Sequence, residues 1–325
     1  MPSLLRLTFA LCLATVFAGA KQPNIVLILM DDMGYRDPGF AGNRFIDTPN
    51  MDRLAKSGAT FTQCYASAPN CAPTRACLLT GQYTPRHGVY TVVDERYAPG
   101  QPTMRVMSTK GNDELPAGTK TVADVLKSNG YATALIGMWN LGRGRNGSTG
   151  SPTGRGFEVY KRPDDVNFAK DAYRDAQGRY LSDALCDEAL AWIDRNKAKP
   201  FFLYYAEHSV HEPFDPKPEL LAKYRKKTPA GLDQSITPEY AATVEAVDAS
   251  IGRILAKLES LGLTKDTLVI FTSDNGGLPY VVNPLRGSKG LLYEGGIRVP
   301  GAVSWPGTIP AGKSFDEPVA SIDFL

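Results

Sequence analysis

Five short clusters hold the side chains able to do chemistry. The first is Asn70-Cys71-Ala72-Pro73-Thr74-Arg75-Ala76-Cys77-Leu78-Leu79-Thr80-Gly81. Pro73 has the fixed φ of a first helical turn, Ala76 to Leu79 are good helix formers and Gly81 follows as a stop. The stretch therefore predicts a turn running into a short helix. Cys71 then lies at a helix N-terminus with Arg75 one turn on, so free backbone N–H groups and a planar, permanent cation converge on one anion. The second cluster, Asp31-Asp32-Met33-Gly34, ends an apolar run at 24–30. Adjacent carboxylates at the end of a buried strand are costly unless neutralised; on these residues alone a hard divalent cation and a plain acidic turn both remain open. His208-Ser209-Val210-His211-Glu212-Pro213 and Ser273-Asp274-Asn275-Gly276-Gly277 each follow another apolar run. Leu285-Arg286-Gly287-Ser288-Lys289-Gly290 offers Lys289 as a point charge on a Gly-rich loop, which by itself reads as surface.

Regular elements must position these clusters. Strands are expected at 24–30, 131–136, 201–206 and 267–272, where apolar runs have strand length. Helices are expected from a Thr48 cap through Lys56, then at 121–128, 180–196 and 238–261, the last two from apolar faces at helical spacing. Residues 82–118 and 137–156 read as Gly- and Pro-rich loop. Strand and helix in alternation predict an α/β fold with a mainly parallel central sheet and helices on both faces. In such sheets ligands bind outside the carboxyl ends of the strands, where Asp31-Asp32, His208/His211 and Asp274-Asn275 all fall. Asp31, Asp32, Asp274 and the Asn275 amide oxygen form a hard donor set, suited to Ca²⁺ or Mg²⁺ and poor for zinc. A group at position 71 and an anionic substrate oxygen would complete the shell.

The bulk properties leave the chain among globular proteins. Lys and Arg number 36 against 34 Asp and Glu in 325 residues, a net charge of +2, which gives no footprint for nucleic acid. The basic group Lys223, Arg225, Lys226 and Lys227 reads as a solvated helix end. Residues 1–20 resemble a secretory signal, with Arg6, an apolar run through Phe17 and Ala18-Gly19-Ala20 as the cleavage site. The mature chain is thus expected to begin near Lys21, to be exported, and to carry no membrane span. Cys64, Cys71, Cys77 and Cys186 allow three pairings in an oxidising compartment and fit no zinc spacing, so disulfides stay open. His87 reads as a packed or turn histidine, and Asn146-Gly147-Ser148 matches a glycosylation acceptor.

Residues 24–32, Thr48-Pro49-Asn50-Met51-Asp52-Arg53-Leu54, residues 71–81, 273–276 and 285–300, in this order, resemble the type I sulfatases of the alkaline phosphatase superfamily. The resemblance spans nearly the whole mature chain. It implies that Cys71, the cysteine of Cys-X-Pro-X-Arg, is oxidised to formylglycine by a formylglycine-generating enzyme, and that Arg75 holds the product. It further implies that Asp31, Asp32, Cys71, Asp274 and Asn275 surround Ca²⁺, and that His211 and Lys289 contact the sulfate and its leaving oxygen. One hydroxyl of the hydrated aldehyde would attack sulfur and the second would expel sulfate, an exit that plain cysteine or serine lacks. The expected activity is hydrolysis of sulfate esters on a small molecule or carbohydrate. A phosphodiesterase or phosphonate hydrolase of the same superfamily and a non-catalytic binder of sulfated glycans are the alternatives.

Three departures accompany the resemblance. Thr74 stands where the family usually has Ser and keeps the hydroxyl. Gly137-Met138-Trp139-Asn140-Leu141-Gly142 replaces Gly-Lys-Trp-His-Leu-Gly, so Met138 and Asn140 take the places of a lysine and a histidine. Either His208 takes over part of that role or the activity is weak. Finally, residues 320–325 resemble the start of a helix that the family continues into a smaller C-terminal sheet. The expected organisation is therefore a signal at 1–20 and a catalytic domain at 21–325 whose C-terminal subdomain is truncated.

Overall fold

The computed structural model describes residues 21–92, 111–142, 147–162, 174 and 178–324. The signal-like segment, Asn146 and parts of the loops at 82–118 and 140–175 lie outside the described residues. Among the described residues ten strands run in chain order: β1 Asn24–Met30, β2 Ala59–Phe61, β3 Cys64–Tyr65, β4 Ala132–Gly137, β5 Val159–Lys161, β6 Phe201–Ala206, β7 Thr267–Ser273, β8 Gly301–Ser304, β9 Lys313–Phe315 and β10 Val319–Ala320. Eight of them form one sheet in the order β5-β4-β6-β1-β7-β8-β2-β9, and β3 pairs with β10 separately. The five strands from β5 to β7 are mutually parallel, β8 runs antiparallel to β7 and β2, and β9 is parallel to β2. The fold is α/β with a mostly parallel sheet, as the alternation predicts.

Both faces of the parallel strands are covered, which is why they read as unbroken apolar runs. Val26, Ile28 and Met30 of β1 join Leu203 and Tyr205 of β6 in one core, against the helices Pro49–Lys56, Leu181–Asn196 and Pro238–Ser260. Leu27 and Leu29 point the other way with Phe202 and Tyr204, against Ala72, Ala76, Leu78 and Leu79 of the helix Cys71–Thr80. Each fully buried aliphatic side chain contributes about 1.5–3 kcal/mol, so this two-sided burial fixes the strand ends from which the chemical groups project. The helix Val122–Ser128 starts with a reciprocal capping box between Thr121 and Asp124.

Several expectations need adjustment. Thr48 does not cap its own helix; its hydroxyl accepts from Gly39 N–H at 2.8 Å, and the orphan N–H groups of Asn50 and Met51 go to Asp248 on the long helix Pro238–Ser260. Residues 218–224 form a helix, and 321–324 form a single 3₁₀ turn. Cys64, Cys71, Cys77 and Cys186 are buried free thiols. His87 is buried, with Nδ1 accepting from Val89 N–H at 3.1 Å and Nε2 3.4 Å from Cys77 Sγ. In the basic group, Lys223 and Lys227 pair with Asp47 and Arg225 with Glu239. Among the described residues no helix is long and apolar enough to cross a membrane.

Candidate active site

Neighbouring parallel strands deliver the site. β1 is followed directly by Asp31 and Asp32, and β7, which pairs with it from Asn24–Thr267 to Met30–Ser273, by Asp274 and Asn275. The two ends are tied by Asp274 N–H to Met30 O at 3.0 Å and Met33 N–H to Ser273 Oγ at 3.1 Å. Asp32 has φ 68°, a left-handed conformation that turns its side chain back to the strand ends, and such strain in a non-glycine residue gathers at functional sites. On the other side of β1, β6 leads into His208 and His211.

Cys71 opens its helix after Asn70, whose φ of −151° keeps it outside the helix. Its sulfur lies 3.3 Å from Asp31 Oδ1 and 3.4 Å from Asn275 Oδ1. One turn on, Arg75 is completely buried. It donates Nε–H and Nη2–H to Asp274 Oδ2 at 2.9 and 2.7 Å, Nη2–H to Asp31 Oδ2 at 3.2 Å, and Nη1–H to the Met138 carbonyl at 2.6 Å. The guanidinium thus clamps two strand ends, one turn of helix from position 71. Lys289 places Nζ 2.7 Å from both oxygens of Asp32, and Asn275 Nδ2 donates to Asp32 Oδ1 at 2.8 Å. His211 Nε2 stands 3.6 Å from Asp32 Oδ2. The Lys289 loop can lie this close because Gly276 and Gly295 lack side chains: a Cβ on either would meet a backbone carbonyl oxygen at 2.1 Å.

The charges shape one another. Burial opposes ionisation of Asp31, but the Arg75 guanidinium and the His208 hydrogen bond outweigh it and hold the carboxyl well below the usual range. For Asp274 the balance goes the other way, with burial and the Asp31 charge raising its pKa despite Arg75. Burial, then the charges of Asp274 and Asp31, push the Cys71 thiol well above 9.0. Burial works against the Lys289 ammonium, yet the negative groups around it raise its pKa.

One donor atom from each of Asp31, Asp32, Cys71 and Asp274 can be chosen so that all lie within 4.8 Å of one another. Three buried carboxylates face two cations, Arg75 and Lys289, and burial, then the Asp31 charge, raise the pKa of Asp274. With the Asn275 amide oxygen, this hard, oxygen-rich set fits a divalent cation of the calcium class.

A family model described as Sulfatase matches residues 23–325. The chain belongs to the sulfatase family. It is 34% identical to the N-acetylgalactosamine-6-sulfatase of Canis lupus familiaris over 331 residues, 91% of this chain and 60% of that protein. It is 33% identical to the arylsulfatase A of Homo sapiens over 97% of this chain and 65% of the relative. It therefore spans about two thirds or less of these curated relatives. Among solved structures, Ps i-CgsB in complex with k-i-k-neocarrahexaose superposes with a TM-score of 0.78 at 33% identity, covering 94% of this chain and 70% of that one.

Within this sulfatase-family chain the segment 138–140 makes its contacts through the backbone. Met138 N–H donates to Ala206 O at 2.9 Å and its carbonyl receives Arg75, while Asn140 takes φ 57°, a left-handed value that Asn tolerates well. His208, by contrast, comes directly into the cluster, with Nδ1 2.8 Å from Asp31 Oδ2 and its ring stacked on His211 at a centroid distance of 4.9 Å. A further residue, Glu207, lies fully buried just behind them. Its only sequence signal is a carboxylate directly after an entirely apolar strand.

Proposed function

We propose that this chain is an exported enzyme that hydrolyses sulfate esters of carbohydrates through a formylglycine made from Cys71, with Ca²⁺ held by Asp31, Asp32, Asp274, Asn275 and residue 71. The observation that carries the proposal is the placement of Cys71, at a helix N-terminus and 3.3–3.4 Å from donor atoms of two strand ends, in a chain of the sulfatase family. As a thiol Cys71 is a poor nucleophile, because burial and two carboxylates keep it protonated. Conversion by a formylglycine-generating enzyme removes that obstacle. When present, the hydrated aldehyde supplies an oxygen nucleophile with a second hydroxyl to expel sulfate, and the cation neutralises oxygen charge.

The chain's own groups do the rest. Arg75 holds Asp31 and Asp274 at fixed separation. Lys289 and the N–H groups at the start of the Cys71–Thr80 helix draw in the sulfuryl oxygens. His211 stands at the rim, where the leaving alcohol departs, and donates to its oxygen. The carbohydrate assignment is supported by relatives named for N-acetylgalactosamine 6-sulfate chemistry and by a neighbour solved with a neocarrahexaose. The signal-like residues 1–20 support export.

A second reading, a binder of sulfated glycans without turnover, draws on Met138 and Asn140, which carry no cation where the family has lysine and histidine. Mass spectrometry separates the two. The tryptic peptide ending at Arg75 is analysed from protein secreted by a host that makes formylglycine, beside a control sulfatase. An aldehyde at position 71 is expected; an unmodified thiol with a converted control overturns the proposal in favour of the binder.

A further inference from the structure

We infer that Glu207 is a positioning residue that sets His208 and His211 over the two strand-end aspartates. The inference rests on the sulfatase reading for its consequence in catalysis, and on geometry alone for the positioning itself.

Glu207 follows β6 directly and its own N–H is fixed to Leu29 O at 2.9 Å, so its Cα is part of the sheet. The side chain is completely buried yet receives four hydrogen bonds. Oε1 accepts from His208 N–H at 3.0 Å, Ser209 N–H at 3.0 Å and Ser209 Oγ–H at 2.7 Å, while Oε2 accepts from Tyr205 Oη–H at 2.8 Å. A buried carboxylate is tolerated only when donors surround it. Here three of the four donors come from the backbone and side chain of the loop that carries both imidazoles, and the fourth from Tyr205 on β6. The turn is closed by His211 N–H donating to His208 O at 3.0 Å. Its product is the stacked pair, with His208 Nδ1 on Asp31 and His211 Nε2 facing Asp32.

This arrangement matters more here because residues 138 and 140 bring no imidazole or ammonium. The chain has three histidines, and the third, His87, is packed against Cys77. The two rings held by the Glu207 loop are therefore the only imidazoles available to the cluster. Groups that orient residues touching a metal or substrate typically control activity by about 10–100-fold.

Three imidazoles also make the test direct. In calcium-loaded, full-length protein, ¹H–¹⁵N imidazole spectra and hydrolysis of 4-nitrophenyl sulfate are recorded for wild type, Glu207→Ala, Glu207→Gln and Ser209→Ala. Glu207→Ala is expected to move the His208 and His211 signals toward those of solvent-exposed imidazole, leave His87 in place, and lower kcat about 10–100-fold. Glu207→Gln keeps an acceptor for the Oε1 donors and lets Tyr205 turn to accept an amide N–H, so it should restore both signals and hold kcat within about threefold of wild type. Ser209→Ala deletes one hydroxyl, folds readily, and should shift the same two signals with a loss of about threefold. Unchanged His208 and His211 signals in Glu207→Ala, or Glu207→Gln as impaired as Glu207→Ala, overturns the inference. If Glu207→Ala does not fold, unmoved signals in Ser209→Ala overturn it equally. If the wild type cleaves no sulfate ester, the sulfatase reading fails while the spectra still decide the positioning.

Discussion

Replacing Arg75 by methionine isolates the energetic role of the clamp. Arg75 is fully buried, and its guanidinium is the partner of Asp274 and Asp31 and of the Met138 carbonyl. Methionine keeps the length and apolar contacts but removes the charge, stranding two carboxylates. Removing one member of a buried ion pair costs about 3–5 kcal/mol, and the unpaired carbonyl adds about 1 kcal/mol, for about 4–6 kcal/mol in all. At about 2 °C per kcal/mol for a chain of this size, Tm should fall about 8–12 °C in the presence of chelator at pH 8. At pH 5 the loss should be smaller, because Asp274, whose pKa is already raised by burial and Asp31, then carries a proton. Calcium should raise the variant's Tm by more than it raises the wild type's, since the stranded carboxylates gain most from a cation. Differential scanning calorimetry with and without calcium measures all three. A fall under about 2 °C, or a calcium response smaller than the wild type's, would refute the clamp as the source of this stability.

Two other perturbations probe different parts of the molecule. Asp37 is fully buried and accepts from Gly34 N–H at 2.6 Å and from Tyr240 Oη–H, yet burial still pushes its pKa from 3.8 to about 7. The folded state then binds this proton more tightly than the unfolded chain, so its stabilisation is complete below pH 3.8 and is lost as pH rises through about 7, on the order of 4 kcal/mol in total. In calcium-loaded protein, urea titrations from pH 4 to 8 should show that slope and Asp37→Asn should flatten it; parallel curves would remove Asp37 as its origin. Restoring the family side chains with Met138→Lys and Asn140→His should raise sulfate ester kcat/KM by about 10²-fold, the scale of a charge-stabilising contact, in assays on 4-nitrophenyl sulfate. No gain would mean that the existing cluster already meets the charge of the reacting group by other means.

The strand ends were legible because their runs are uninterrupted. β1, β6 and β7 are apolar on both faces, so the first charged residue after each marks where the sheet stops, and Asp31, Glu207 and Asp274 all stand there or one residue on. The helix at Cys71 was legible from Pro73 and Gly81. The short strands β2, β3, β8, β9 and β10 were not, since two to four residues hold no readable period and owe their pairing to neighbours far along the chain. The same distance hid the partners of Arg75. Its position suggested an anion at the helix N-terminus, whereas its hydrogen bonds go to Asp274, 199 residues later, and to Met138, 63 residues later. His208 was legible as a strand-end imidazole able to take over part of the absent histidine's role, but its contact with Asp31 was not, because it arises from the pairing of β1 with β6.

The burial of Cys71 also sets a timetable. The residue is 3% exposed, and every position from Cys71 to Leu79 is buried. On the proposed function, a maturation enzyme must reach Cys71, and once the Cys71–Thr80 helix is packed that residue is closed to it. Arg75 is locked by Asp274, which lies 199 residues later, so the lock cannot close until synthesis has gone that far. At about 5–20 residues per second, the window lasts about 10–40 s. Whether a given molecule becomes competent is thereby decided by a race between modification and folding, and one that folds first keeps its thiol out of reach for as long as it stays folded.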